Sequence, residues 1–309
     1  MNKSRVIGPL ILLLTAVIWG TSFISQEVGA NNGLGSFTFQ AVRCALGAVA
    51  LLVVCVGKDL YQKKKGIYQA PTAYSKRMLW LGGLVCGCLL CVATVLQQFG
   101  IAEADTSPGK AAFITALYIV FVPIFSLLLR RRSQPHVYLC VAAALVGLWL
   151  LCMSGSSITK GDFLVILCAV AFAVHIMVVD FVVTHVDGVK LSCIQFSVAA
   201  IISAVGMLIT EQPDIHVILQ NWFPLIYSGI FSAAIAFTLQ IIGQKYTQPT
   251  VACLLMSLES VFAVLTSMIM MPEQSPSSAR EWIGMAVILV SILFAQIPLK
   301  YGRNTVKTE

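Results

Sequence analysis

The feature that most constrains this chain is a succession of long apolar stretches separated by short polar segments. A membrane-spanning helix needs roughly 20 apolar residues. Ten stretches are about that long: 7–27, 36–56, 78–100, 107–129, 135–153, 162–182, 190–209, 222–244, 250–271 and 281–299. Inside lipid each must be helical, because no water is present there to satisfy the backbone. We therefore predict an all-α integral membrane protein with ten transmembrane helices.

Composition argues against a soluble alternative. The 309 residues are 58% hydrophobic and 11% charged, whereas about a quarter of a soluble domain is charged. The net charge of +7 lies in short segments between apolar stretches, so we expect the lipid bilayer as a partner and no nucleic acid. The ten cysteines fall almost entirely inside apolar stretches, without companion histidines or acids at metal-ligand spacing. We expect them to pack as small hydrophobes and expect no metal or cofactor.

The placement of Lys and Arg predicts the orientation, since positively charged loops stay in the cytoplasm. With the N-terminus inside, 16 of the 20 Lys and Arg residues fall in cytoplasmic segments. Only Lys110, Lys160 and Arg280 fall on the opposite side, and Arg43 lies within a span. We expect a multi-pass protein of the cell (inner) membrane with both termini in the cytoplasm, as an even number of spans requires.

The chain also repeats itself weakly. When residues 7–153 are laid over 161–299, similar residues recur at corresponding spans: Gly8 on Gly161, Leu96–Gly100 on Leu239–Gly243, Pro108 on Pro249, and Val120-Phe121 on Val261-Phe262. A unit with five spans starts on one side of the membrane and ends on the other, so its second copy must be inverted. We predict two inverted five-helix repeats, residues 1–154 and 155–309, an arrangement common among secondary transporters.

Short motifs in order along the whole chain carry a family resemblance. They are Trp19-Gly20-Thr21-Ser22-Phe23, Arg43, Pro108, Leu258-Glu259-Ser260-Val261-Phe262 and Ile283-Gly284. Together they resemble the EamA-type transporters of the drug/metabolite transporter superfamily. The resemblance implies transport of amino acids, sugars, other metabolites or drugs, and it does not name the substrate. Ser260 stands where the family often has a proline after the acid, so no proline is present there to kink the helix.

These observations predict a secondary active transporter of small metabolites such as amino acids or drugs, working by alternating access. We expect export rather than import, leave proton coupling and a homodimer open, and expect no enzyme activity. The alternatives are an intramembrane enzyme and a channel without alternating access. An enzyme needs a catalytic set, but the four histidines are scattered. Channels commonly rely on a filter motif and oligomeric symmetry, and the sequence shows neither signal.

Two residues at matching repeat positions are candidates for the transport pathway. Glu259 lies ten residues past Pro249, about 15 Å along a helix and therefore near mid-membrane. An acid there can bind a substrate ammonium or carry a proton, or it can be a structural acid that accepts a hydrogen bond from a neighbouring helix. Tyr118 lies ten residues past Pro108, and we expect it to line the same cavity or to be structural.

Arg43 and His175 are ionisable residues inside spans, where polar groups usually face a cavity or another helix. Arg43 lies about 10 Å deep and can pair with a substrate carboxylate, pair with Glu259, or snorkel to the surface. Gln195 takes its place in the second repeat. His175 matches Ser22 and can titrate near physiological pH, although a histidine with a hydrogen bond across helices is an equal alternative.

Three further residues complete the predicted substrate pathway. Gln97 and Gln240 recur at the same repeat position, which favours a shared role either in lining the cavity or in joining helices. Trp19 lines the cavity or belongs to an aromatic belt at the membrane surface.

Overall fold

A computed structural model describes residues 3–68, 70–103, 108–131, 134–152, 159–271, 278–295 and 297. Within these residues the chain forms helices and turns, with no strand. The helices are α1 (Lys3–Asn31), α2 (Ser36–Lys64), α3 (Ala73–Ile101), α4 (Pro108–Leu128), α5 (Pro135–Cys152), α6 (Lys160–Val182), α7 (Gly188–Thr210), α8 (Trp222–Gln244), α9 (Pro249–Met270) and α10 (Ala279–Ala295). A short helix, Ile215–Gln220, precedes α8. The predicted all-α fold is confirmed.

The lengths of these helices bear on the predicted number of spans. Eight of them, α1 to α4 and α6 to α9, are long and apolar enough to cross a bilayer. Helices α5 and α10, of 18 and 17 residues, are apolar but shorter in their described parts. The stretches predicted for them, 135–153 and 281–299, extend beyond the described residues. The chain is therefore a multi-pass membrane protein, and the count of ten spans stays a prediction.

The distribution of polarity is that of a protein in lipid. Large apolar side chains such as Val53, Ile209 and Ile269 are 68%, 77% and 81% exposed on the outside of the bundle. Polar side chains such as Gln98 and Gln195 are completely buried inside it. Polar groups within the membrane face the interior of the bundle because lipid cannot satisfy their hydrogen bonds. The interior of this bundle can therefore contain a polar site.

The helices of the two predicted repeats are interleaved. The most extensive contacts join α2 to α7, α3 to α6, and α5 to α10; α1 packs on α8 and α9, and α4 packs on α6 and α9. Every one of these contacts joins a helix before residue 154 to a helix after it. Among the described residues neither repeat has a separate core, so a movement of one changes its packing on the other.

The α2–α7 pair is fastened at both of its ends. At one end two ion pairs connect it, Lys58 to Asp187 at 2.5 Å and Lys190 to Asp59 at 2.7 Å. Burial alone would raise the pKa of the Asp187 carboxyl, but hydrogen bonds from Lys58 and from backbone N–H groups hold that pKa below its ordinary value. At the other end the Glu211 carboxylate accepts 2.8 Å hydrogen bonds from the first backbone N–H groups of α2, where a negative charge is stabilising.

Helices α4 and α9 are both interrupted, and at matching repeat positions. In α4 the α-helix stops at Thr115 and resumes at Tyr118; in α9 it stops at Met256 and resumes at Glu259. The intervening turns make tighter bonds to the third residue back, from the N–H of Ile119 to Ala116 and from that of Ser260 to Ser257. Such tight turns inside a helix often mark functional hinges.

The interruption in α9 occurs without a proline. The hydroxyls of Ser257 and Ser260 each bond a carbonyl three residues back, both at 2.8 Å. Serine hydroxyls compete with the backbone for these carbonyls and tend to bend helices. Helix α9 is therefore interrupted although no proline is present at that point, and two serine hydroxyls accompany the interruption.

Helix α8 has a different irregularity. Residues Tyr227–Ala236 form a π-helix within it, a rare conformation that often occurs at functional sites. Gly229 lies at its contact with α2, where a Cβ would come 2.7 Å from the Leu46 Cβ and 3.1 Å from the Arg43 carbonyl. Close approach of the two backbones brings Arg43 against the π-helical segment.

Candidate functional site

A narrow cavity lies where seven helices meet, and its wall contains six of the seven residues predicted for the substrate pathway. It is lined by Trp19, Ser22, Phe23, Gln26, Arg43, Gln97, Thr115, Tyr118, Phe172, Ile176, Ser232, Phe237, Gln240 and Glu259. The volume of this cavity is only about 20 Å³. Since one water needs about 10–15 Å³, the cavity has room for about one water in this conformation.

The two helix interruptions meet at this cavity. The Tyr118 hydroxyl donates a 3.0 Å hydrogen bond to Glu259 Oε1, and each residue is the first of the helix that resumes after its interruption. Tyr118 is 2% and Glu259 3% exposed. A bend at either interruption would therefore move one partner of this hydrogen bond directly.

Arg43 reaches the cavity from α2 and is 3% exposed. Its Nη2 donates a 3.0 Å hydrogen bond to Ser232 Oγ in the π-helical segment. Its Nε and Nη1 have no hydrogen-bond partner, and none of the ion pairs among the described residues includes it. The structure thus places Arg43 on the same cavity as Glu259, but without an ion pair between them, and its burial removes the snorkelling alternative.

Aromatic rings form much of the remaining wall. Trp19 and Phe237 lie with ring centroids 4.6 Å apart, and Phe172 stacks on the same Phe237 at 6.3 Å. The Trp19 Nε1 is buried without an acceptor. Trp19 therefore belongs to the cavity and not to an aromatic belt, and it offers both an apolar face and a free N–H donor.

The predicted glutamine pair lines the cavity from α3 and α8. Gln97 Nε2 donates to the Thr115 hydroxyl at 3.1 Å, next to the interruption in α4. The Oε1 atoms of Gln240 and Gln26 accept no hydrogen bond, and the Ser22 hydroxyl has no hydrogen-bond partner either. A polar small molecule can satisfy these groups. Among the residues that the structure describes, no cluster of His, Cys, Asp or Glu is suited to hold a metal ion.

His175 is the predicted residue that does not line the cavity. It is completely buried, and its Nε2 lies 3.1 Å from Gln195 Oε1. Its ring meets the edge of Phe237 at 6.4 Å, so Phe237 stands beside both His175 and the cavity. In this conformation the structure favours the alternative of a histidine held by a hydrogen bond across helices.

Several lining residues were not singled out from the sequence. Gln26 lies seven residues after Trp19, on the same face of a helix, and this spacing was a usable signal. Phe237 lies three residues before Gln240 and was findable in the same way. Ser232 had no comparable signal, because its position depends on the π-helical segment, which shifts the helical periodicity.

Comparison with known proteins identifies the fold at the level of a family. The model described as the EamA-like transporter family matches this chain twice, over residues 6–153 and 159–296. The chain belongs to the EamA-like transporter family. The resemblance drawn from the short motifs is therefore confirmed, and the chain is a membrane transporter of this family, with the EamA repeat fold.

Two relatives of this EamA-like chain are both named "Uncharacterized transporter". One, from Archaeoglobus fulgidus, is 26% identical over 302 residues, which cover 95% of this chain and 87% of the relative. The other, from Clostridium kluyveri, is 22% identical over 277 residues and covers 86% of each chain. A chain in a solved crystal structure superposes with a TM-score of 0.73 at 17% identity, covering 93% of this chain and 96% of the other. At that identity the likeness supports the fold alone.

Proposed function

We propose that this EamA-like chain is a secondary active transporter that moves small metabolites, such as amino acids or drugs, by alternating access through the central cavity. The observation that carries the proposal is the hydrogen bond between Tyr118 and Glu259. It joins two interrupted helices at a narrow cavity lined by aromatic, amide and charged groups. Interrupted helices near the bilayer midplane form the substrate sites of many secondary transporters.

The proposed architecture is ten spans in two inverted halves, residues 1–154 and 155–309. Two matches of one family model along the chain support the repeat. The pairing of helices supports it as well, because α2, α4 and α5 contact their own counterparts α7, α9 and α10. We place the protein in the cell (inner) membrane with both termini in the cytoplasm, following the Lys and Arg distribution.

Alternating access requires that the cavity open to one side at a time. A more open and polar space, with a volume of about 440 Å³, lies where α4 and α6 meet the turn between α8 and α9. The Arg131–Asp180 ion pair, at 2.5 Å, borders it. No residue lines both spaces. We assign the open space as a cytoplasmic vestibule from which the central cavity is closed in this conformation.

Glu259 is the proposed coupling group. It supplies the one carboxyl on the lining of the cavity in the described structure. A carboxyl can carry a proton across when it alternates between the two sides, and we propose that proton entry through Glu259 is coupled to export. A channel without alternating access would need a continuous opening, and the space in this cavity is close to that of a single water.

Flux into proteoliposomes tests the proposal. Cells with and without the protein are compared for metabolites that change, and the affected compounds are then assayed with and without a pH gradient. We expect saturable flux that the gradient accelerates, and we expect Glu259→Gln to lower the rate about 100-fold or more, the range seen when a proton-transfer group is lost. Wild-type flux of the Glu259→Gln protein at every pH would remove Glu259 from the mechanism. Failure of every affected compound to cross would remove the transport proposal itself.

A further inference from the structure

The guanidinium of Arg43 is a buried cation with most of its hydrogen-bonding capacity unused. Arginine carries five N–H donors, one on Nε and two on each Nη. The Nη2 group bonds Ser232 Oγ at 3.0 Å, whereas Nε and Nη1 have no partner. A buried charge without a counter-charge is costly unless something else compensates for it. Arg43 therefore needs an explanation beyond packing.

The described structure contains no internal counter-ion for Arg43. Glu259 lies on the same cavity but accepts its hydrogen bond from Tyr118. The ion pairs of the described residues connect other groups, near the ends of α2, α4, α6 and α7 and in the α3–α4 connection. With an exposure of 3%, the side chain is also out of reach of lipid headgroups.

Two further donors of the cavity are unpaired. The Trp19 Nε1 and the Ser22 hydroxyl have no partner, and both side chains lie on the cavity wall with Arg43. Trp19 can only donate. A guanidinium together with neighbouring N–H and O–H donors has the chemistry of an anion site, and the aromatic faces beside it can cover an apolar body.

We propose that Arg43 binds a carboxylate of the transported molecule, so that the substrates are small carboxylate-bearing metabolites and not cationic drugs. The inference rests on the proposed function, because it takes the central cavity as the transport site. A carboxylate brings one negative charge, which matches one guanidinium. A phosphate ester would bring up to two into a narrow space that already contains the Glu259 carboxyl. The unpaired carbonyls of Gln26 and Gln240 can accept from a substrate ammonium or hydroxyl.

Binding to the purified full-length protein in lipid nanodiscs tests this assignment directly. Thermal unfolding is followed with a pool of L-amino acids and small monocarboxylates, and with a second pool of the corresponding amides at equal concentration. We expect stabilisation by the carboxylate pool alone, because a site built around a charged hydrogen bond rejects an analogue that lacks its partner. Deconvolution of the pool then identifies the individual compound for titration.

Variants show whether Arg43 is the group responsible. We expect Arg43→Gln to raise the half-saturating concentration of that compound at least about tenfold, in line with the loss of hydrogen bonds to a charged group. Ser232→Ala removes only the hydroxyl that holds Nη2, so it tests the same site with a smaller change to the fold. Gln195→Ala, at the matching repeat position but away from the cavity, is the control and should bind as the wild type does.

The possible outcomes separate this inference from the transport proposal. Equal stabilisation by amides, wild-type binding by Arg43→Gln, or the absence of any stabilisation by carboxylates would each overturn the carboxylate site. Carboxylate-selective binding that depends on Arg43, in a protein that carries no flux, would leave the site standing and remove the transport proposal. Saturable flux of amines alone would do the reverse.

Discussion

Each half of this molecule contains an interrupted helix, but the side chains that the two halves bring to the cavity differ in chemistry. Both α4 and α9 are interrupted at the same repeat position, and the residues that follow, Tyr118 and Glu259, bond each other across the cavity. The positions of Arg43 and Ser22 on the cavity wall correspond to Gln195 and His175 in the second half. That second pair hydrogen-bonds internally instead.

The backbone interruption is common to both halves, whereas the charged groups of the cavity are not. The first half contributes the cation of the cavity and the second half its carboxyl, so neither half alone makes a complete site. Such asymmetry also means that the two sides of the cavity need not be equivalent when it opens. The comparison can be tested at three levels: the inversion itself, the packing at the interruptions, and the buried histidine.

The inversion predicts an all-or-none result. Lys65 follows α2, Gln212 follows its counterpart helix α7, and both residues are exposed. In an inverted pair they must lie on opposite faces of the membrane. We expect a membrane-impermeant maleimide to label Gln212→Cys from outside intact cells, and to label Lys65→Cys only after the inner face is exposed. The parent chain with its native cysteines gives the background, and labelling of both positions from one face would end the comparison.

Sequence reasoning reached the helices and most of the cavity because both depend on strong local signals. Apolar stretches longer than a bilayer requires, and polar residues such as Glu259 and Arg43 inside them, are visible without a structure. The interruption in α9 was not visible, because two serines and not a proline accompany it. The place of His175 depends on Phe237, which is distant in sequence but adjacent in space, and a local pattern contains no information on such a contact.

Gly20 tests the packing behind the interruption in α9. A Cβ at this position would lie 2.7 Å from the Glu259 carbonyl and 2.9 Å from the Ala263 nitrogen, whereas its counterpart Ala173 already carries one. We expect Gly20→Ala to force α1 and α9 apart and to lower stability by about 1–3 kcal/mol, the usual cost of overpacking. The measurement is thermal or denaturant unfolding in detergent or nanodiscs.

Gly57 supplies the matched control for that substitution. It also lies inside a helix, and a Cβ there would meet nothing within 4 Å. Gly57→Ala should therefore be neutral or slightly stabilising, since alanine has the higher helix propensity. Suppose that the Gly20→Ala protein is as stable to heat or denaturant as the Gly57→Ala protein. The position of Gly20 then tolerates a Cβ as its counterpart Ala173 does, and the proposed asymmetry between the halves is limited to their charges.

The smallest effect is expected at His175. The ring is separated from the cavity in this conformation and is held by Gln195, so His175→Asn, which keeps a hydrogen-bonding side chain, should leave the pH profile of flux unchanged. Ser22→Ala, at the counterpart position on the cavity wall, should change substrate affinity more. A pH profile that flattens in His175→Asn would show that the ring takes part in proton movement. Since His175 does not line the cavity as the helices now stand, that result would require a second conformation in which the ring reaches the cavity, and the two halves would then be more alike in chemistry than this conformation shows.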